Sequence, residues 1–169
     1  MKIAARYALL AAGLALAVPV FAAPLSHDET EVLLGRVMTP AGDACHESWA
    51  DGASEKPDQI IAKCQAAIIE VQGLRSRERS LSPGAQTIYS QVEAMLEQGI
   101  VVGYTRLDGD NAAQMCQHEE RIGLLLNEGD PASVSKEISG VMVDYKRVTG
   151  EVLVECRKRF GTPAGAVKL

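Results

Sequence analysis

The sequence predicts an all-α fold, a disulfide-stapled antiparallel bundle of about five helices whose last helix is long. Apolar residues recur at steps of three and four along most of the chain, which is typical of helices with one buried face. Aromatic residues make up only 4% of the chain, and glycines fall between the apolar segments. Four cysteines, an even number, predict two disulfides in an exported protein.

The N-terminus predicts that export. Lys2 and Arg6 precede an apolar run from Ala8 to Phe21, and small residues follow the run. This order is typical of a secretory signal peptide, and the run is too short to span a bilayer. We expect a periplasmic or secreted protein, with no later segment apolar enough for a membrane span. The predicted divisions are a signal peptide over residues 1–22, a single helical domain over 23–160 and a flexible tail over 161–169.

The charge of the chain bears on its partners. The net formal charge is −5, and the mature part is more acidic because Lys2 and Arg6 belong to the predicted signal. Binding of nucleic acid needs a cationic face, so we expect no nucleic-acid partner. Two basic clusters, Arg75 to Arg79 and Arg157 to Arg159, lie at predicted helix ends, where cations complement the helix dipole.

The first helix and the segment after it are predicted from capping and turn residues. Ser26 and Glu29 form a capping box for a helix that ends near Met38, before a Thr-Pro pair. Residues 39–56 are rich in Gly, Ser and Asp and have no sustained period, which predicts a long loop. Its only tryptophan, Trp49, and His46 form a candidate binding loop. The alternative is that Cys45 staples this loop and Trp49 plugs the end of the bundle.

Three further helices follow from apolar spacing and caps. Ser82 as cap and Pro83 at the first helical position begin the third helix, in which Gly99 and Gly103 would allow another helix to cross closely. The predicted ranges are about 57–78 for the second helix, 82–106 for the third and 111–127 for the fourth.

The last helix is predicted to begin at Asp130-Pro131 and to reach about Phe160. Six apolar positions repeat at steps of four and three, the spacing of a helix buried along a bundle seam. These positions are Val134, Ile138, Val141, Tyr145, Val148 and Val152.

The order of the helices limits the disulfide pairing. At about 1.5 Å per residue, Cys64 and Cys116 reach similar heights in an up-down bundle. Cys156 would lie far below Cys116 on a helix that begins at residue 130, beyond the reach of a disulfide. We therefore predict bonds between Cys64 and Cys116 and between Cys45 and Cys156. Chain order alone instead favours a disulfide between Cys45 and Cys64.

Chemical motifs are few. We find no nucleophile elbow, phosphate loop, dinucleotide fingerprint or His-Glu-x-x-His sequence. His118 and Glu119 are the kinds of residue that perform acid-base chemistry, but the neighbouring Cys116 and Ile122 point to the core. This places His118 and Glu119 on the flank or surface of their helix.

The sequence does not identify the function directly. We expect an exported protein that binds a protein or a cell-envelope component without catalysis, in the manner of an inhibitor, an immunity factor or a chaperone. No cofactor and no metal are predicted. The alternative is a small metal- or cofactor-binding protein or enzyme that uses His46, His118 and cysteine ligands.

Overall fold

A computed structural model describes residues 23–50 and 54–163 of the 169-residue chain. The predicted signal peptide and residues 164–169 of the predicted tail lie outside the described residues. Within these limits the fold is all-α, as predicted, with no strand and no helix that is both long and apolar enough to span a membrane. The helices are α1 (His27–Val37), α2 (Pro40–Trp49), α3 (Pro57–Arg77), α4 (Pro83–Arg106), α5 (Ala112–Glu128) and α6 (Lys136–Phe160), with a 3₁₀ turn at Pro131–Ser133.

The helix starts follow from their caps. The Ser26 hydroxyl accepts a hydrogen bond from the Glu29 amide at 3.3 Å, and the Glu29 carboxylate accepts one from the Ser26 amide at 2.9 Å. This is the predicted capping box, and it satisfies amide groups that have no partner within the helix. The Ser82 hydroxyl likewise accepts a hydrogen bond from the Ala85 amide, so α4 begins where predicted.

The prediction of a loop over residues 39–56 is wrong for most of its length, because Pro40–Trp49 forms α2. Helix α1 ends at Val37, and Thr39 caps α2, since its hydroxyl accepts a hydrogen bond from the Gly42 amide at 3.3 Å. Proline at the first helical position lacks only an amide that a helix leaves unpaired. His46 and Trp49 therefore lie on a helix, not on a binding loop.

Helix α4 is the centre of the molecule. It packs between α3 and α5, while α2 contacts both α3 and α4, and α1 lies across α4. Gly103 makes the predicted close crossing possible, because a Cβ atom there would lie 2.5 Å from a side-chain carbon of Ile61. Helix α6 packs mainly against α5 and the 3₁₀ turn.

The last helix begins six residues later than predicted, at Lys136. The connection from α5 first runs back to the start of α4, where the Ser133 hydroxyl lies 2.9 Å from that of Thr87. Ser90 donates a hydrogen bond to Glu128 at the end of α5, and the Ser133 carbonyl lies against Gly84, six residues earlier on α4. The connection therefore continues past the end of α5 by roughly 9 Å, between one and two turns of α4.

This displacement explains why the predicted disulfide pairing is wrong. The bonds are Cys45–Cys64, which joins α2 to α3, and Cys116–Cys156, which joins α5 to α6. Because α6 begins beyond the end of α5, Cys156 comes level with Cys116 without a break in the helix. The two disulfides join neighbouring helices.

Candidate functional site

Among the described residues, helix α6 holds five of the six exposed valines, which are Val141, Val143, Val148, Val152 and Val154. The buried residues of α6 are Met142, Thr149 and Leu153. The predicted seam is therefore wrong at three of its positions, since Val141, Val148 and Val152 are 60%, 46% and 37% exposed. At 100° per residue these three valines lie within about 40° of each other around the helix axis. We call Val141, Val148 and Val152 the valine stripe.

The valine stripe is about 17 Å long and has a polar border. Arg147 forms ion pairs with Asp144 and with Glu151, at 3.8 Å and 3.0 Å. Lys158 pairs with Glu155 at 2.6 Å. Because these charges compensate each other within α6, the border carries little net charge. The stripe therefore suits an apolar partner surface better than an ionic one.

A small groove continues the stripe onto α5. Its volume is about 190 Å³, and it is lined by Val152 and Glu155 of α6 and by Met115 and Glu119 of α5. The Cys116–Cys156 disulfide forms part of the same groove.

His118 lies partly buried on the flank of α5, and its imidazole has partners on α4 that the sequence analysis did not predict. Its Nδ1 is 2.6 Å from Glu97, whose side chain is almost wholly buried in α4. The Arg121 guanidinium reaches the other Glu97 oxygen at 2.8 Å. The ring of Tyr104 lies against the imidazole, with 5.6 Å between ring centres. Glu97 thus joins α4 to α5 through two basic side chains.

Glu119 is also buried, which corrects its predicted surface position. It lies opposite Tyr145, whose hydroxyl donates a hydrogen bond to the Ala94 carbonyl at 3.2 Å. Burial raises the pKa of Tyr145, and the carboxylates of Glu119 and Glu97 raise it further. The 4-3-4 spacing of Met115, Glu119, Ile122 and Leu126 was a signal for this burial that the analysis missed.

A second buried carboxylate of α4, Glu93, lies one turn before Glu97. It accepts hydrogen bonds from Gln72 and Arg75 of α3, both at 3.1 Å. Arg75 also reaches Glu128 of α5 at 2.8 Å, so it joins three helices rather than only ending α3. The open groove above these residues has a volume of about 440 Å³. Its carboxylates already have basic partners, so it offers no unsatisfied charge to a ligand.

The two residues of the predicted binding loop have separate environments. Trp49 packs against the core near Gly99 and the Cys45–Cys64 disulfide, which agrees with the alternative that Trp49 has a structural role in the bundle. His46 is exposed and packs edge-on against the Trp49 ring, with 5.0 Å between ring centres.

Cysteine thiolates are not available as ligands, because all four sulfur atoms form disulfides. The alternative that combined His46 and His118 with cysteine ligands would therefore have no cysteine thiolates to use. Over residues 23–50 and 54–163, no group of three metal-ligating side chains is close enough to hold an ion.

Comparison with known proteins adds no relative, since no protein-family model, no curated protein and no solved structure matches the chain. The fold and the site thus define a class only, a disulfide-linked helical bundle with an exposed apolar helix face. Two disulfides are consistent with a protein of an oxidising compartment.

Proposed function

We propose that this is an exported binding protein, of the inhibitor, immunity-factor or chaperone kind, whose valine stripe receives an amphipathic helix of a partner protein. The observation that supports the proposal is the exposure of Val141, Val148 and Val152 on one side of α6. Together with Tyr145 these residues have the 4-3-4 spacing of helix-helix packing.

The size and charge of the stripe favour a helix over a second copy of this chain. Its exposed valine surface is on the order of 200 Å², whereas a stable interface buries about 800 Å² on each partner. The paired charges at the border match the polar edges of an amphipathic helix. A contact of this size supports weak and reversible binding.

Site-specific cross-linking tests the proposal. A photoreactive amino acid replaces Val148 in the protein of the exported fraction, and the control carries it at Val32 of α1, an exposed valine outside the stripe. We expect one defined protein adduct from position 148 only. The adduct should form again with the purified partner and should be lost when Val141 and Val152 are both changed to serine.

Three results would contradict the proposal. They are the absence of an adduct at position 148, equal adducts from positions 148 and 32, and an adduct that persists in the Val141→Ser, Val152→Ser protein.

A further inference from the structure

Helix α6 has few buried side chains, and the Arg157–Glu120 ion pair at 2.8 Å adds a polar contact with α5. Among its side chains only Met142, Thr149 and Leu153 are buried, and the Cys116–Cys156 disulfide ties the C-terminal part of α6 to α5. Segments with few buried contacts open at low free-energy cost. The disulfide would keep an opened α6 close to α5.

Glu119 is the buried ionisable group of this attachment. It lies on α5 one turn after Cys116, is 7% exposed, and shares the small groove with Val152 and Cys156 of α6. No described side chain donates a hydrogen bond to its carboxyl group. A buried carboxylate without a partner is costly, and that cost favours the neutral, protonated form.

The charged groups around Glu119 do not neutralise it. On α5, His118 and Arg121 are both engaged with Glu97 of α4. On α6, Tyr145 and Glu155 face the same region, and neither is cationic.

The remaining cation at the groove is Arg159, which forms an ion pair with Asp110 at 3.2 Å. Burial accordingly raises the pKa of Glu119 to about 7, against an opposing effect of His118.

We propose that ionisation of Glu119 loosens α6 from α5, so that the position of the valine stripe depends on pH near neutrality. The closed α5–α6 contact leaves the Glu119 carboxyl group little exposed to water and favours its protonated form, whereas an opened contact would hydrate the carboxylate more fully. An effect of this opening on partner binding rests on the proposed function. The opening itself requires no partner.

Amide hydrogen exchange at pH 5.5 and pH 8, corrected for the intrinsic rate, tests this inference on the mature protein with its disulfides intact. We expect protection of α6 amides to fall at least tenfold from pH 5.5 to pH 8, relative to α4 amides. Glu119→Gln, a neutral residue of the same shape, should abolish this fall. Glu155→Gln, which changes an exposed carboxylate at the same groove, should leave it unchanged.

The inference is overturned if wild-type α6 shows no such fall, or if Glu119→Gln retains it, since the second result would assign the effect to another group such as His118. The measurement contains no partner protein. Its failure would therefore leave the cross-linking result at position 148 untouched, and a failed cross-link would leave the exchange result standing.

Discussion

Buried carboxylates carry much of the chemistry of this molecule at the scale of single residues. Glu93 and Glu97 lie one turn apart on α4, and each accepts hydrogen bonds or ion pairs from neighbouring helices. Glu119 is buried without such partners. Two carboxylates thus link helices, whereas the third weakens the contact in which it lies.

Glu119→Gln should change stability in a pH-dependent way. The pKa of this carboxyl rises from 4.5 to about 7 on folding, so the folded state binds the proton more tightly. The stability that the protonated Glu119 carboxyl contributes is fully present below pH 4.5 and is lost as the pH rises through 7. The variant should match the wild type at pH 4 and exceed its free energy of unfolding by about 3 kcal/mol at pH 8. Urea unfolding at both values checks this, and equal stabilities at pH 8 would contradict it.

Gly99 and Gly73 form a matched pair of glycines for substitution by alanine. A Cβ atom at Gly99 would lie 2.6 Å from the Cys64 sulfur and 2.7 Å from the Trp49 ring, whereas one at Gly73 meets nothing within 4 Å. Gly99→Ala should lower the free energy of unfolding by about 1 to 3 kcal/mol. Gly73→Ala should raise it by about 0.5 to 1 kcal/mol. Thermal unfolding compares the two, and the same sign for both would refute the close packing at Gly99.

At the scale of elements, periodicity predicted most helices but not which side of α6 is buried. The valine stripe and the buried residues Met142, Thr149 and Leu153 occur in the same amphipathic helix. The apolar spacing predicted that the valines are buried, because Thr149 is polar and interrupts the apolar pattern on the side of Met142 and Leu153. Packing against α5 decides the question, and a single sequence does not contain that information.

Alanine substitutions at Val148 and Leu153 distinguish the two sides of α6. Leu153 is 1% exposed, so Leu153→Ala should cost about 2 to 4 kcal/mol in the free energy of unfolding. Val148→Ala should change stability by no more than about 0.5 kcal/mol, because the valine is already half in water. Chemical denaturation of both proteins measures the difference. A larger loss of unfolding free energy for Val148→Ala than for Leu153→Ala would support burial of the valines, as the sequence predicted.

At the scale of the whole molecule, the all-α class, the caps and the presence of disulfides were predictable, because they depend on local residue patterns. Helix α2 was missed since the Thr39-Pro40 pair was interpreted as the end of the first helix, whereas it begins α2. The disulfide pairing was missed since the path of residues 129–135 depends on contacts with Thr87 on a distant helix. Long-range contacts of this kind leave no periodic signal in the sequence.

Disulfide mapping of the native protein tests this topology. Digestion without reduction, followed by mass spectrometry, should yield one linked peptide pair with Cys45 and Cys64 and another with Cys116 and Cys156. Reduction should separate both pairs. A peptide that links Cys64 to Cys116 would show that α5 and α6 are arranged differently.

Binding through the valine stripe is the central claim, and the dissociation constant of the purified partner tests it most directly. Changing both Val148 and Val152 to serine should weaken binding at least about tenfold, because it removes two of the three valines of the contact. Changing Val32 or Ile69, two exposed residues on other helices, should leave the constant unchanged. Equal affinity of the wild-type and Val148→Ser, Val152→Ser proteins would contradict the account.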